Sequence, residues 1–173
     1  ERQRASRLAS LVQQRENANA VATTVMYAAL YGQSHPYGYT ELGTEASNKA
    51  LNRDDLQKFW SQNFVPNNAA LIVSGRISEA ELKPLVEKAF GDWQKGTPAQ
   101  SAIGQPSTTS ARLVIVDKPG APQTQLRVAS VGVARNTPDY EALRVMNEAL
   151  GGLFSSRINL NLREAHGYTY GAS

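Results

Sequence analysis

The chain has 173 residues, 41% hydrophobic and 19% charged, a size and balance that suit one ordinary globular domain or two modest ones. No apolar run approaches the ~18 residues of a membrane-crossing helix, and the absence of cysteine excludes disulfides, thiolate metal sites and a cysteine nucleophile while leaving the compartment open. The net charge of +3, from 18 basic against 15 acidic residues, comes without a basic stripe and gives nucleic-acid binding little support.

From Glu1 to Tyr31 the chain is rich in Ala, Leu, Gln and Arg and lacks proline and glycine, which predicts one long helix or two consecutive ones. Arg2, Arg4, Arg7 and Arg15 read as the solvated face of that helix. No basic and then apolar leader pattern precedes it, so no targeting signal is expected. Gly32, Pro36, Gly38 and Gly43 turn 32–44 into an ordered loop. Asn52 and Asp55 then cap a short amphipathic helix with Leu56, Phe59, Trp60 and Phe64 on one face. After a turn at Pro66-Asn67-Asn68, Ala70 to Val73 reads as a buried strand stopped by Gly75. Ser78 and Glu81 form a capping box for a helix through Leu82, Leu85, Val86, Ala89 and Phe90, with Gly91 as its stop.

Residues 95–110 are rich in Gly, Pro, Ser and Thr, carry no acid and have Ile103 as their one large apolar side chain, so they are expected to link two domains. Leu113–Val116 and Leu126–Val133, separated by the reversal Lys118-Pro119-Gly120-Ala121-Pro122, are expected to pair antiparallel. Thr137-Pro138 opens a helix through Tyr140, Leu143, Met146 and Leu150, stopped by Gly151-Gly152. Ser155 or Ser156 caps another through Ile158 and Leu162, ended near Gly167, after which Tyr168-Thr169-Tyr170 has strand propensity. The whole reads as an α+β fold, a layered antiparallel or mixed sheet covered by helices. It divides into two partial domains, 1–94 and 111–173, joined by 95–110.

The chemistry this sequence can carry is narrow. A zinc site needs about three protein ligands, usually two of them close together on a helix, and the two histidines, His35 and His166, stand far apart. No nucleophile elbow supports a Ser-His-acid triad, and Gly151-Gly152 lacks the Lys-Ser/Thr of a phosphate-binding loop. What remains is the tail, in which Leu150-Gly151-Gly152 leads into Ser155-Ser156-Arg157-Ile158 and then Leu162-Arg163-Glu164, with Gly167 and Tyr170 following.

That tail resembles the corresponding segment of the insulinase/pitrilysin family of zinc metallopeptidases, which includes the mitochondrial processing peptidase. Earlier stretches agree in the same order: His35-Pro36-Tyr37-Gly38, Phe59 to Asn68, Leu71 to Gly75, and Phe90-Gly91-Asp92-Trp93. The resemblance implies that the chain joins the latter part of one α+β domain to the first part of the next. It implies that Arg163 and Tyr170, seven residues apart, hold a substrate peptide, as the Arg/Tyr pair does in active members. A forked, permanent cation and a phenol suit that role, since both can donate to a peptide carbonyl. Family members that bind zinc place a glutamate ligand on the helix corresponding to the start of this chain. In the inferred register Leu8 stands there; a shifted register would put Glu1 in its place, and Glu16 lies too far along. The chain is therefore expected to bind no metal itself and to be one half of a zinc-dependent endopeptidase. A homologous zinc-binding half or subunit would be its partner and a peptide or protein its substrate. A non-catalytic core or scaffold subunit of the same fold and a peptide-binding module are the alternatives.

Overall fold

The computed structural model describes residues 1–100, 103–106 and 110–173. They fall into two compact units, Glu1–Ala129 and Ser130–Ser173. The first begins with two helices, α1 (Arg2–Glu16) and α2 (Ala18–Tyr31). The break falls at Asn17, which leaves helical geometry (φ −92°, ψ 108°) while its side chain accepts from the Ala20 amide at 3.0 Å. One asparagine thus ends the first helix and caps the second.

The loop that follows is held by close backbone approach. A Cβ on Gly38 would sit 1.7 Å from the carbonyl oxygen of Gly32, so no other residue fits there. The His35 ring caps a short 3-10 turn at Pro36–Gly38, its Nδ1 accepting from the Tyr37 amide at 3.1 Å. Thr44 and Ser47 form a capping box for α3 (Glu45–Ala50). Asn48, 5% exposed, is the hub tying α3 to α1. Its amide donates to the carbonyls of Leu42 (2.7 Å) and Thr44 (2.8 Å). Its Oδ1 accepts from Arg7 Nε at 3.0 Å, and its backbone carbonyl from Arg4 Nε at 3.1 Å. Arg4 and Arg7 further reach the carbonyls of Leu51 and Glu41, so two of the arginines expected on a solvated face also satisfy loop carbonyls, Arg7 while staying exposed and Arg4 half-buried.

Two helices form where their caps predict. Asn52 accepts from Asp54 and Asp55 at the start of α4 (Arg53–Asn63), and Ser78 with Glu81 opens α5 (Glu79–Phe90). The chain after α5 returns to the turn after α4. Trp93 Nε1 donates to the Phe64 carbonyl at 3.2 Å, and Asn67 and Gly96 exchange two hydrogen bonds at 2.8 and 3.0 Å. Part of the expected linker 95–110, residues 101, 102 and 107–109, lies outside the described residues. Within its described part, the Gly104 carbonyl lies 3.0 Å from His35 Nε2. With Nδ1 occupied by the Tyr37 amide, the ring carries its proton on Nε2 and donates it to that carbonyl.

The expected α+β architecture is corrected by the structure. Among the described residues all regular structure is helical, and no strand or sheet forms. Ala70–Val73, Leu113–Val116, Leu126–Val133 and Tyr168–Tyr170 are irregular, and the anticipated antiparallel pair is not made. The reversal between two of them does form, with the Ala121 amide donating to the Lys118 carbonyl at 3.2 Å. The physical reason lies in what strand propensity measures: packing against cross-strand neighbours rather than a private backbone preference. Among the described residues no strand pairs with these segments, so their branched side chains stay open, Ile72 90% and Val128 92% exposed. The apolar faces of α4 and α5 are likewise uncovered, with Phe59, Trp60 and Leu85 all exposed.

In the second unit, α6 (Tyr140–Asn147) starts two residues after Pro138 and passes into a π turn over Glu148–Gly152. A short helix, α7 (Arg157–Asn159), then runs into a second π turn, Leu160–Ala165. Ser156 precedes α7, but its buried hydroxyl makes no capping bond and has no partner among the described residues.

Candidate functional site

The second π turn sets the geometry around Arg163. Widening the coil lets the Tyr168 amide reach back to the Leu162 carbonyl at 2.8 Å while the Gly167 amide bonds to the Arg163 carbonyl at 2.9 Å. Gly167 takes φ +64°, the left-handed conformation that ends a helix and reverses the chain. A small clasp follows, in which the Thr169 hydroxyl donates to the Gly171 carbonyl and accepts from its amide.

This reversal brings the sequence-predicted pair together. Arg163 and Tyr170 line one cavity of about 310 Å³, along with Gly151, Phe154, Asn159 and Ala172. The guanidinium carbon lies 4.5 Å over the centroid of the Phe154 ring, a cation–π seat. Arg163 Nε is 3.4 Å from Glu164 Oε1, an exposed contact of the kind that contributes little. Tyr170 is 82% exposed. Among the described residues neither its hydroxyl nor the terminal guanidinium nitrogens hydrogen-bond to the protein.

The groups considered for metal binding are engaged elsewhere. Glu1 takes two bonds from Arg4 (2.8 and 2.9 Å), Glu16 pairs with Lys118 at 3.6 Å, and Leu8 offers no lone pair. Both His35 nitrogens are occupied, and His166 stacks on Tyr168 with centroids 5.0 Å apart. Among the described residues no three His, Cys, Asp or Glu converge in a way that could hold a metal ion. The donor set of these residues does not fit zinc.

A larger cavity, about 430 Å³, lies in the first unit where Lys118–Gln123 meets the junction of α1 and α2. Lys118 also donates to the Arg15 carbonyl at 3.4 Å, a cation at a helix C-terminus. This cavity brings together amides, prolines and one neutralised ion pair, and so no catalytic set. Sequence reasoning did not single out Phe154 or Asn159. The signal for Phe154 was an aromatic two residues after Gly151-Gly152; for Asn159, on a segment that mixes Ile and Leu with Arg, Asn and Glu, there was none.

With this geometry in place, comparison with known proteins gives the class. The family model described as the Peptidase M16 inactive domain matches residues 50–173, more than half of the chain, and the chain belongs to that family. It is 30% identical over 147 residues to an uncharacterized zinc protease of Mycobacterium leprae, covering 83% of this chain and 32% of that protein. It is 31% identical over 142 residues to zinc protease YmxG of Bacillus subtilis (82% and 34%). The probable mitochondrial-processing peptidase subunit beta of Schizosaccharomyces pombe is 28% identical over 148 residues (82% and 32%). The crystal structure of a peptidase M16 inactive domain from Pseudomonas fluorescens superposes with a TM-score of 0.80 at 26% identity, over 98% of this chain and 41% of that one. The chain thus spans about a third of the length of the curated relatives it matches.

Proposed function

We propose that this chain is the metal-free half of a zinc-dependent endopeptidase, and that Arg163 and Tyr170 hold the substrate peptide. Zinc would be held by a homologous half, in a partner subunit or another segment. The reading also keeps 1–94 and 111–173 as parts of two domains joined through 95–110. One observation carries it: the two donors line the same cavity with their polar ends uncommitted. Apart from Asn159 the rest of the cavity's lining is small or apolar, which suits a peptide backbone gripped by its carbonyls. Arg163 brings paired N–H donors in a planar fork; Tyr170 adds one hydroxyl donor.

The experiment uses the full-length protein assembled with its zinc-binding half and an internally quenched fluorescent peptide. Arg163→Ala removes a charge-assisted contact, whose net value of ~1.5–3 kcal/mol corresponds to a loss of roughly 10- to 150-fold in kcat/KM. Unchanged cleavage by Arg163→Ala would remove the substrate-gripping role. No cleavage of any peptide by the intact assembly would instead favour a scaffold of the same fold.

A further inference from the structure

We infer that Asn159 is a positioning residue for the Arg163/Tyr170 pair. This rests on the substrate-gripping reading above and assigns a third residue to the same site. Asn159 is 3% exposed and lines the shared cavity. Its Nδ2 donates to the Phe154 carbonyl at 2.6 Å, and its Oδ1 accepts from the Ala172 amide at 3.1 Å. Because one partner is a carbonyl and the other an N–H, only one orientation of the amide satisfies both.

Those two bonds reach the two halves of the grip. Phe154 is the ring on which the Arg163 guanidinium rests. Ala172 lies two residues beyond Tyr170, and among the described residues its bond to Asn159 is the one side-chain tie between 169–173 and the helical segment. The Thr169–Gly171 clasp is local and fixes no distance to Arg163. A single buried amide therefore sets the spacing between the aromatic seat of the cation and the strand-like stretch carrying the phenol. An aliphatic residue would fill the same space and leave both ends untied, so an amide here has a task that packing does not explain.

Two replacements test this in the full-length assembly with the quenched peptide. Asn159→Asp keeps the volume and the acceptor for the Ala172 amide but sets an oxygen against the Phe154 carbonyl; Asn159→Ala removes both ties. The expected result for either is KM raised roughly five- to tenfold with kcat within about twofold, the size of one lost hydrogen-bonded constraint on binding. Combined with Arg163→Ala, either should add less than about twofold, because a cation that is absent no longer needs its seat held. Independent losses that multiply in the double variant would overturn the inference, as would a folded Asn159→Asp or Asn159→Ala assembly with unchanged KM. If Arg163→Ala itself leaves cleavage intact, the underlying functional reading fails instead, and the two failures are distinguished by that single variant.

Discussion

Replacing Asn48 by alanine tests whether the α1–α3 junction depends on one buried amide. The change deletes three side-chain hydrogen bonds, two donated to the carbonyls of Leu42 and Thr44 and one accepted from Arg7 Nε. At about 0.5–1.5 kcal/mol net for each, the sum is about 1.5–4.5 kcal/mol. The upper part of that range applies if the two carbonyls stay dry in the space the amide leaves. Global melting is a poor assay, because a chain that forms two compact units need not unfold in two states. Amide hydrogen exchange of 44–51 in the full-length protein reports the local opening directly. The expected outcome is exchange faster by roughly 10- to 2,000-fold across α3 and its entry, with α5 unaffected. Acceleration below about fivefold would mean that water replaces the amide without loss and that Arg4, through the Asn48 and Leu51 carbonyls, holds the junction alone.

Other outcomes follow from separate features. Arg163→Lys keeps the charge but loses the planar fork and the face-on contact with Phe154, so kcat/KM should fall about tenfold, less than for Arg163→Ala. Tyr170→Phe deletes one neutral donor from an exposed ring and should cost up to about tenfold in kcat/KM with unchanged hydrogen exchange at 160–168. Gly96→Ala places a methyl 2.7 Å from Val65 Cγ1, a buried side chain, and should break the paired Asn67–Gly96 bonds, raising proteolytic nicking near 95–100. The hydrogen bonds from the Ser78 hydroxyl and amide hold the Glu81 carboxyl below the usual carboxylate range. A lowered folded value means that this group's contribution is present above its unfolded value and lost as pH falls through the folded one. Exchange in the first turn of α5 should therefore accelerate on acidification, and Ser78→Ala should flatten that dependence; an unchanged pH profile in the variant would refute it.

Local signals in the sequence were read correctly where a short side chain meets a backbone amide one turn away. Asn52 with Asp55 and Ser78 with Glu81 cap the helices they predict, because such bonds depend on nothing beyond four residues. Distance in sequence is what hid the rest. Arg4 and Arg7 look solvated until Asn48 and Leu51 arrive 41 to 47 residues later. Ala70–Val73 and Leu113–Val116 carry strand chemistry, yet a strand is a property of two segments, and none of the described residues supplies the second. The Arg163/Tyr170 pair rests on family resemblance rather than composition, and both residues line one cavity. Asn159 was not legible at all, since its task depends on a loop carbonyl five residues before it and an amide thirteen residues after it.

The bare run Leu113–Val116 has a consequence for anyone handling residues 1–173 in concentrated form. Four consecutive aliphatics, from 50% to 82% exposed and with no ladder partner among the described residues, make a template on which identical molecules can stack. Charged gatekeepers stand only at its margins, Arg112 and Asp117, so a lysine or glutamate at Val114 should lower self-association at high concentration.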